Sequence, residues 1–206
     1  MTLHSDVARY IAMGLRPVPL YGVAMGWCMC GDRDCKDRDW GKHTWDHVEE
    51  QYKDGKRYTP RDFLEGNNVA LAMGPWDGGD DWLVCLDVDD VGGEFYLGGR
   101  FGHFSPSLWA KSPRGRHLIY RVPAYTPLGN WVDVFATKPG PSLDLRYARG
   151  RIVVAPSRNA FGAYEWTNFV TPVSLPEHVI DVILDHRRAR GLPVQATWDR
   201  GRKRAS

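Results

Sequence analysis

The segment Trp82-Leu83-Val84-Cys85-Leu86-Asp87-Val88-Asp89 constrains the fold more than any other stretch of the chain. A short apolar run bounded by Gly and Asp is the signature of a buried β-strand. Its end alternates: side chains two apart on a strand share a face, so Asp87 and Asp89 project together while Val88 turns into the core. Two carboxylates on one face repel unless a cation lies between them. Mg²⁺ or Mn²⁺ suits that arrangement, because both prefer oxygen ligands and use a few carboxylates together with phosphate oxygens. Acids also end strands as turn formers, which is the other reading of the pair.

The elements around this strand predict an α+β fold with a strand-rich second half and few helices. Asp6 to Met13 has helical spacing with Ser5 as N-cap, and Gly14 ends it before an extended stretch from Arg16 to Tyr21. Thr59 to Glu65 predicts a short helix, with Thr59 as cap and Pro60 at the first helical position. Further strands are expected at Asn68 to Met73, Leu108 to Lys111, His117 to Val122, Leu143 to Arg146 and Ile152 to Ala155. Glu177 to Ala189 reads as an amphipathic helix, and the basic residues past Gly191 as a tail or linker.

At 206 residues the chain can bury one substantial core or two small lobes sharing an interface. Its net charge is only +2, but the charges are segregated. Asp77 to Glu94 holds acids and no Lys or Arg, whereas from Arg100 to Arg151 the bases face only Asp133 and Asp144. An acidic knot beside a basic field is what a site needs to hold divalent cations while accepting polyanions. Within the basic field, Ser112-Pro113-Arg114-Gly115-Arg116-His117 is a turn carrying two guanidinium groups, suited to bidentate phosphate contacts, and it leads into a strand. The imidazole of His117 could donate to a phosphate oxygen, or be a satisfied strand-end histidine. Asp144 alternates with inward-facing Leu143 and Leu145, and its bland reading is a surface pair with Arg146.

Three of the four cysteines crowd into Cys28, Cys30 and Cys35, and His43 follows. In a reducing compartment such a cluster predicts one structural Zn²⁺ held by three thiolates and an imidazole, with His47 as the alternative fourth ligand. Cys85, inside the apolar strand, is read as core. No apolar stretch approaches the roughly 20 residues of a membrane span and no leader pattern is visible, so a cytoplasmic protein is expected.

Taken in order, these pieces resemble the bifunctional DNA primase/polymerase family of the archaeo-eukaryotic primase superfamily, found in phage and plasmid replication proteins. The resemblance runs from about Ala8 to Trp166. It includes Ala8, Tyr10, Gly14 and Pro17; the cysteine cluster ending in Gly41-Lys42-His43; and Asn68-Val69-Ala70-Leu71 with Gly74. It continues through Leu86-Asp87-Val88-Asp89, the segment from Ser112 to His117, Leu143-Asp144-Leu145-Arg146, and Val153-Val154-Ala155-Pro156-Ser157 with Gly162, Tyr164 and Trp166. Here Asp90 adds an acid to the pair, and Ser112-Pro113-Arg114 stands where the family is richer in glycine.

The resemblance implies a two-lobed fold, an α/β lobe carrying the zinc loop packed on a lobe like an RNA-recognition motif, with the active site in the cleft. On that basis residues 1–175 form the catalytic domain, divided near residue 80; 176–190 form a C-terminal helix; and 191–206 form a tail. It makes Asp87, Asp89 and Asp144 ligands for two catalytic Mg²⁺ or Mn²⁺ ions and His117 a contact to the incoming nucleotide, with Ser112, Arg114, Arg116, Lys42 and Arg146 as further nucleotide-binding candidates. The expected activity is primer synthesis and extension on single-stranded DNA from nucleoside triphosphates, with a helicase module or replication partner possible nearby. The competing readings are a metal-dependent nuclease or phosphodiesterase on the same carboxylates, and a non-catalytic nucleic-acid-binding module.

Overall fold

The chain opens with α1 (Leu3–Ala12), which buries Leu3, Val7 and Tyr10. Thr2 is its N-cap, and Ser5 returns the bond from the third helical position in a reciprocal box, so the helix begins three residues before the expected start. Gly14, at φ 73°, turns the chain into β1 (Pro17–Leu20). A hairpin of β2 (Val23–Ala24) and β3 (Trp27–Cys28) follows. The helix α2 (Asp46–Lys53) comes next, a helix the sequence pattern does not announce. At Thr59 the expected helix is one 3₁₀ turn, Pro60–Asp62, capped by Thr59 and Asp62. It stops there because Phe63 takes extended backbone and is drawn into the core.

The structure is a computed structural model and describes residues 2–89, 97–99, 101–102, 107–124, 126–135 and 143–194. Asp90, Glu94 and the glycines at 92 and 93 lie outside the described residues, as does residue 195 onward of the basic tail. The remaining strands are β4 (Asn68–Ala72), β5 (Gly74–Pro75), β6 (Trp82–Val88), β7 (Leu108–Lys111), β8 (Arg116–Val122), β9 (Leu143–Arg146), β10 (Arg151–Val154), β11 (Arg158–Asn159), β12 (Gly162–Ala163) and β13 (Glu165–Asn168). The final helix is α3 (Glu177–Ala189).

Two sheets matter for the site. One has the order β1-β4-β10, antiparallel throughout, so a strand from residue 151 onward lies beside strands from the first 80 residues. The other has the order β13-β7-β8-β6-β5, with β9 also on β6 beyond the short β5. The fold is thus mixed α and β, with sheets dominating and few helices.

Strand alternation divides the core between the two faces of the larger sheet. Leu83, Cys85 and Ile119 pack with α1 and the three-stranded sheet, so Cys85 is core as expected. Trp82, Val84, Leu86, Val88, Leu118, Tyr120, Leu143 and Leu145 face the other way, against Val179, Ile180, Ile183 and Leu184 of α3. Burial of each such α3 side chain contributes about 1.5–3 kcal/mol. Among the described residues no helix is long and apolar enough to cross a membrane.

Candidate catalytic cleft

Because Leu86, Val88, Leu118, Leu143 and Leu145 are committed to the α3 side, the residues between them turn to the side of the three-stranded sheet. In the register of the larger sheet Asp87 lies opposite His117 on β8 and opposite Asp144 on β9. Directly opposed residues in an antiparallel pair share a face. Asp144, Asp87 and His117 therefore form one row across three strands, and Asp89 follows just past the end of β6.

This row is part of the lining of a cleft of about 490 Å³. Lys42, Ser112, Arg114 and Arg146, named from the sequence as nucleotide-binding candidates, line it too. Arg116 does not: it alternates with His117 on β8, and its guanidinium lies 5.7 Å from the Trp109 ring centroid. The expected strand began at His117, which left Arg116 to be read as part of the turn.

The carboxylates are held by guanidinium groups. Arg146 donates to Asp144 at 2.7 Å and lies 3.9 Å from Asp87, and Arg114 donates to Asp89 at 2.9 Å. The backbone N–H of Asp133 donates to the other oxygen of Asp144 at 2.8 Å. His117 Nε2 lies 3.2 Å from Asp87 Oδ1, and among the described residues its Nδ1 has no hydrogen-bond partner. Burial, then the charge of Asp87, pushes the Asp89 carboxyl above the usual aspartate range. Burial also leads in raising Asp144, against the Asp133 N–H and Arg146. Burial pushes Asp87 up as well, but the neighbouring His117, Arg146 and Arg114 outweigh it and leave it below the ordinary value. Burial, then the Arg114 charge, lowers the Lys42 ammonium, a sign of how closely cations crowd this rim.

Among the described residues the three aspartates do not gather their oxygens within 4.8 Å of one another. Arg146 lies between two of them and supplies the positive charge their repulsion demands. The donor set is nonetheless hard oxygen, the chemistry that Mg²⁺ or Mn²⁺ takes.

Other side chains of the cleft were not anticipated: Glu49, Tyr52 and Lys53 on α2, Arg149 and Arg151 before and on β10, and Tyr164. Arg151 is ion-paired to Glu49 and donates to the Tyr52 hydroxyl at 3.1 Å. The Tyr164 ring lies 5.7 Å from the His117 ring. The basic triplet Arg149-Gly150-Arg151 was the signal that could have marked this rim.

Cys28, Cys30, Cys35 and His43 form a separate group with donor atoms all within 4.8 Å of one another. The His43 Nε2 lies 3.2 Å from Cys28 Sγ and 3.4 Å from Cys35 Sγ. Tetrahedral Zn²⁺, with bonds of about 2.3 Å to sulfur and about 2.0 Å to nitrogen, requires neighbouring donors roughly 3.5 Å apart. The cluster could therefore bind zinc, and the fourth donor is His43, not His47. Burial, then the thiols of Cys30 and Cys28, pushes the Cys35 thiol up to about 12, so these sulfurs do not ionise together without a cation. Elemental analysis should find about one Zn per chain, and stripping it with a strong chelator should make the peptide between Trp27 and Trp45 more susceptible to proteolysis. A metal-free preparation with that segment equally protected would show that the thiols hold no ion.

In comparison with known families, the one described as bifunctional DNA primase/polymerase, N-terminal, matches residues 8–178. No individual curated protein matches the chain.

Proposed function

Since the match spans most of its length and the chain therefore belongs to the bifunctional DNA primase/polymerase family, we propose that it is the catalytic core of a template-dependent primase and polymerase acting in the replication of a phage or plasmid. The observation that carries the reading is the row Asp144, Asp87, His117 across three neighbouring strands, in a cleft rimmed by Lys and Arg. On this reading Asp87, Asp89 and Asp144 hold the divalent cations, which when bound activate the attacking hydroxyl and neutralise charge on the phosphates. The zinc loop and the two sheets would correspond to the α/β lobe and the lobe like an RNA-recognition motif, with residues 1–175 as the catalytic unit.

The role of each residue follows from its surroundings. Arg146 and Arg114 neutralise the acids of the cleft and also serve the triphosphate, since a guanidinium serves carboxylate and phosphate with the same paired donors. Lys42 adds a further charge to that side of the cleft. Ser112 acts on the backbone instead, because its hydroxyl accepts from Gly115 N at 3.0 Å and fixes the turn that presents Arg114. Arg116 is left out because it does not line the cleft. Single-stranded DNA would follow the part of the rim formed by Lys53, Arg149 and Arg151.

His117 is assigned to the nucleotide because it is held in the row by Asp87 and has a ring nitrogen with no partner among the described residues. His117→Ala should raise the KM for nucleotide about tenfold to a hundredfold, the worth of one charge-assisted phosphate hydrogen bond, and leave the Kd for single-stranded DNA nearly unchanged. Both constants are measured on the same preparation. A raised Kd with an unchanged KM would put His117 on the template side.

A further inference from the structure

A second cavity of about 230 Å³ adjoins the cleft and shares Tyr52, Lys53 and Arg149 with it. The lining of this cavity includes Arg16, only 6% exposed. Its guanidinium donates from Nη2 to the Tyr52 carbonyl at 3.4 Å, and among the described residues its Nε has no partner. Asp77 acts on this guanidinium through its charge, but among the described residues no carboxylate is in direct ion-pair contact with it, and a buried guanidinium with unfilled donors costs stability unless something else accepts its protons. Burial, then the charge of Arg57, lowers its pKa to about 10, against the opposing charge of Asp77.

The remaining walls narrow the choice of ligand. Trp82, Met73 and Pro75 make much of the surface apolar, while Asp54 adds one carboxylate and Lys53 and Arg149 stand where the cavity meets the cleft. The volume lies below the roughly 300–1,000 Å³ of pockets that enclose a whole drug-sized ligand, so it suits one part of a ligand whose remainder lies elsewhere. An apolar slot with an unsatisfied guanidinium calls for a flat group with adjacent acceptors on its edge. Among the bases guanine offers this at O6 and N7, the pair that arginine commonly reads, and its N–H groups suit a carboxylate.

We propose that the Arg16 cavity is a binding pocket for a single purine base, guanine by preference, belonging to a nucleotide whose phosphate lies on the Lys53 and Arg149 rim. The reading of the neighbouring cleft as a nucleotide and DNA site supplies only the class of ligand. The pocket itself stands on Arg16 and its surroundings. The nucleotide is either free or one unit of a strand that runs along the rim, and the two sources share this chemistry.

The test is a binding comparison that needs no catalysis. Guanosine monophosphate is compared with its 7-deaza analogue, in which a C–H replaces the N7 acceptor, and an oligothymidylate carrying one guanine is compared with the same strand carrying 7-deazaguanine. The intact chain should prefer the guanine probe by about tenfold in at least one arm, and Arg16→Met should reduce the preference to about twofold or less. A preference in the mononucleotide arm assigns the pocket to free nucleotide, and one seen only in the oligonucleotide arm assigns it to a strand. If Arg16→Met does not fold, Arg16→Lys, which keeps the charge but loses the planar fork, is read in its place. Equal binding of both probes in both arms, no binding of either, or a preference that survives loss of Arg16 would overturn the proposal. A preparation that incorporates no nucleotide yet shows the Arg16-dependent preference would count against the polymerase reading and leave the pocket standing.

Discussion

Asp87→Ala, Asp89→Ala and Asp144→Ala should each reduce nucleotide incorporation by about a hundredfold to a thousandfold or more, with folding retained. Each removes one of the oxygen donors that the cleft offers to divalent cations, and no other carboxylate in the row can take over. Asp144 is fixed by the Asp133 N–H and by Arg146, so its loss also frees Arg146 to close on Asp87. The aspartates differ in their effect on stability. Burial and the charge of Asp87 hold Asp89 above its ordinary pKa, so its ionised form opposes folding once the pH rises above the unfolded value. Asp89→Asn should therefore raise the melting temperature at neutral pH in chelator while activity is lost. Near-normal incorporation by any one of the alanine variants would remove that residue from the site.

Gly115→Ala should also damage activity although it removes no charge and no ligand. The turn from Ser112 to Gly115 passes so close to the end of β6 that a Cβ on Gly115 would lie 1.9 Å from the Val88 carbonyl oxygen and 3.1 Å from the Asp89 carbonyl carbon. The backbone of one strand or the other must move. Either shift carries Asp89 or Arg114 with it and breaks the bonds between Ser112 and Gly115. Overpacking of this kind costs about 1–3 kcal/mol, and incorporation should fall at least about tenfold because the acids are displaced from their register. Thermal melting and incorporation are measured together, with Gly98→Ala as control, since a Cβ there meets nothing within 4 Å. A Gly115→Ala protein of normal stability and activity would mean that the approach of this turn to β6 does not position the acids.

Which parts of this arrangement were legible in the sequence follows from how each element is stabilised. β6, β7, β9 and α3 have the expected bounds because each carries its own apolar pattern between clear breaks. The acids at the end of β6 could be set on one face from alternation alone. α2 was not legible: it buries only Val48 and Tyr52, and Trp45 provides no side-chain cap, so neither period nor start signal marks it. With it went Glu49, Tyr52 and Lys53, one wall of the cleft. The pairing of β10 with β4 joins residues about 80 apart in the chain, and no local pattern encodes such a contact. That pairing brings Arg151 into the lining of the same cleft as the carboxylate row. The pairing of Asp144 with Arg146 was readable from their two-residue spacing on one strand, but that Arg146 also approaches Asp87 and that Arg114 pairs with Asp89 was not, because this depends on where β9 and the Ser112 turn lie in the assembled sheet.

The central claim is that the carboxylate row performs template-directed nucleotidyl transfer. It is tested most directly by incubating the chain with single-stranded DNA, labelled nucleoside triphosphates and Mg²⁺ or Mn²⁺, with and without a primer, and following strand length and pyrophosphate together. Labelled strands complementary to the template should appear, one pyrophosphate should be released per nucleotide added, and both signals should vanish with Asp87→Ala. Shortening of the DNA without pyrophosphate would contradict the claim in favour of a nuclease on the same acids. DNA binding with neither signal, unchanged by Asp87→Ala, would contradict it in favour of a module that binds and does not catalyse.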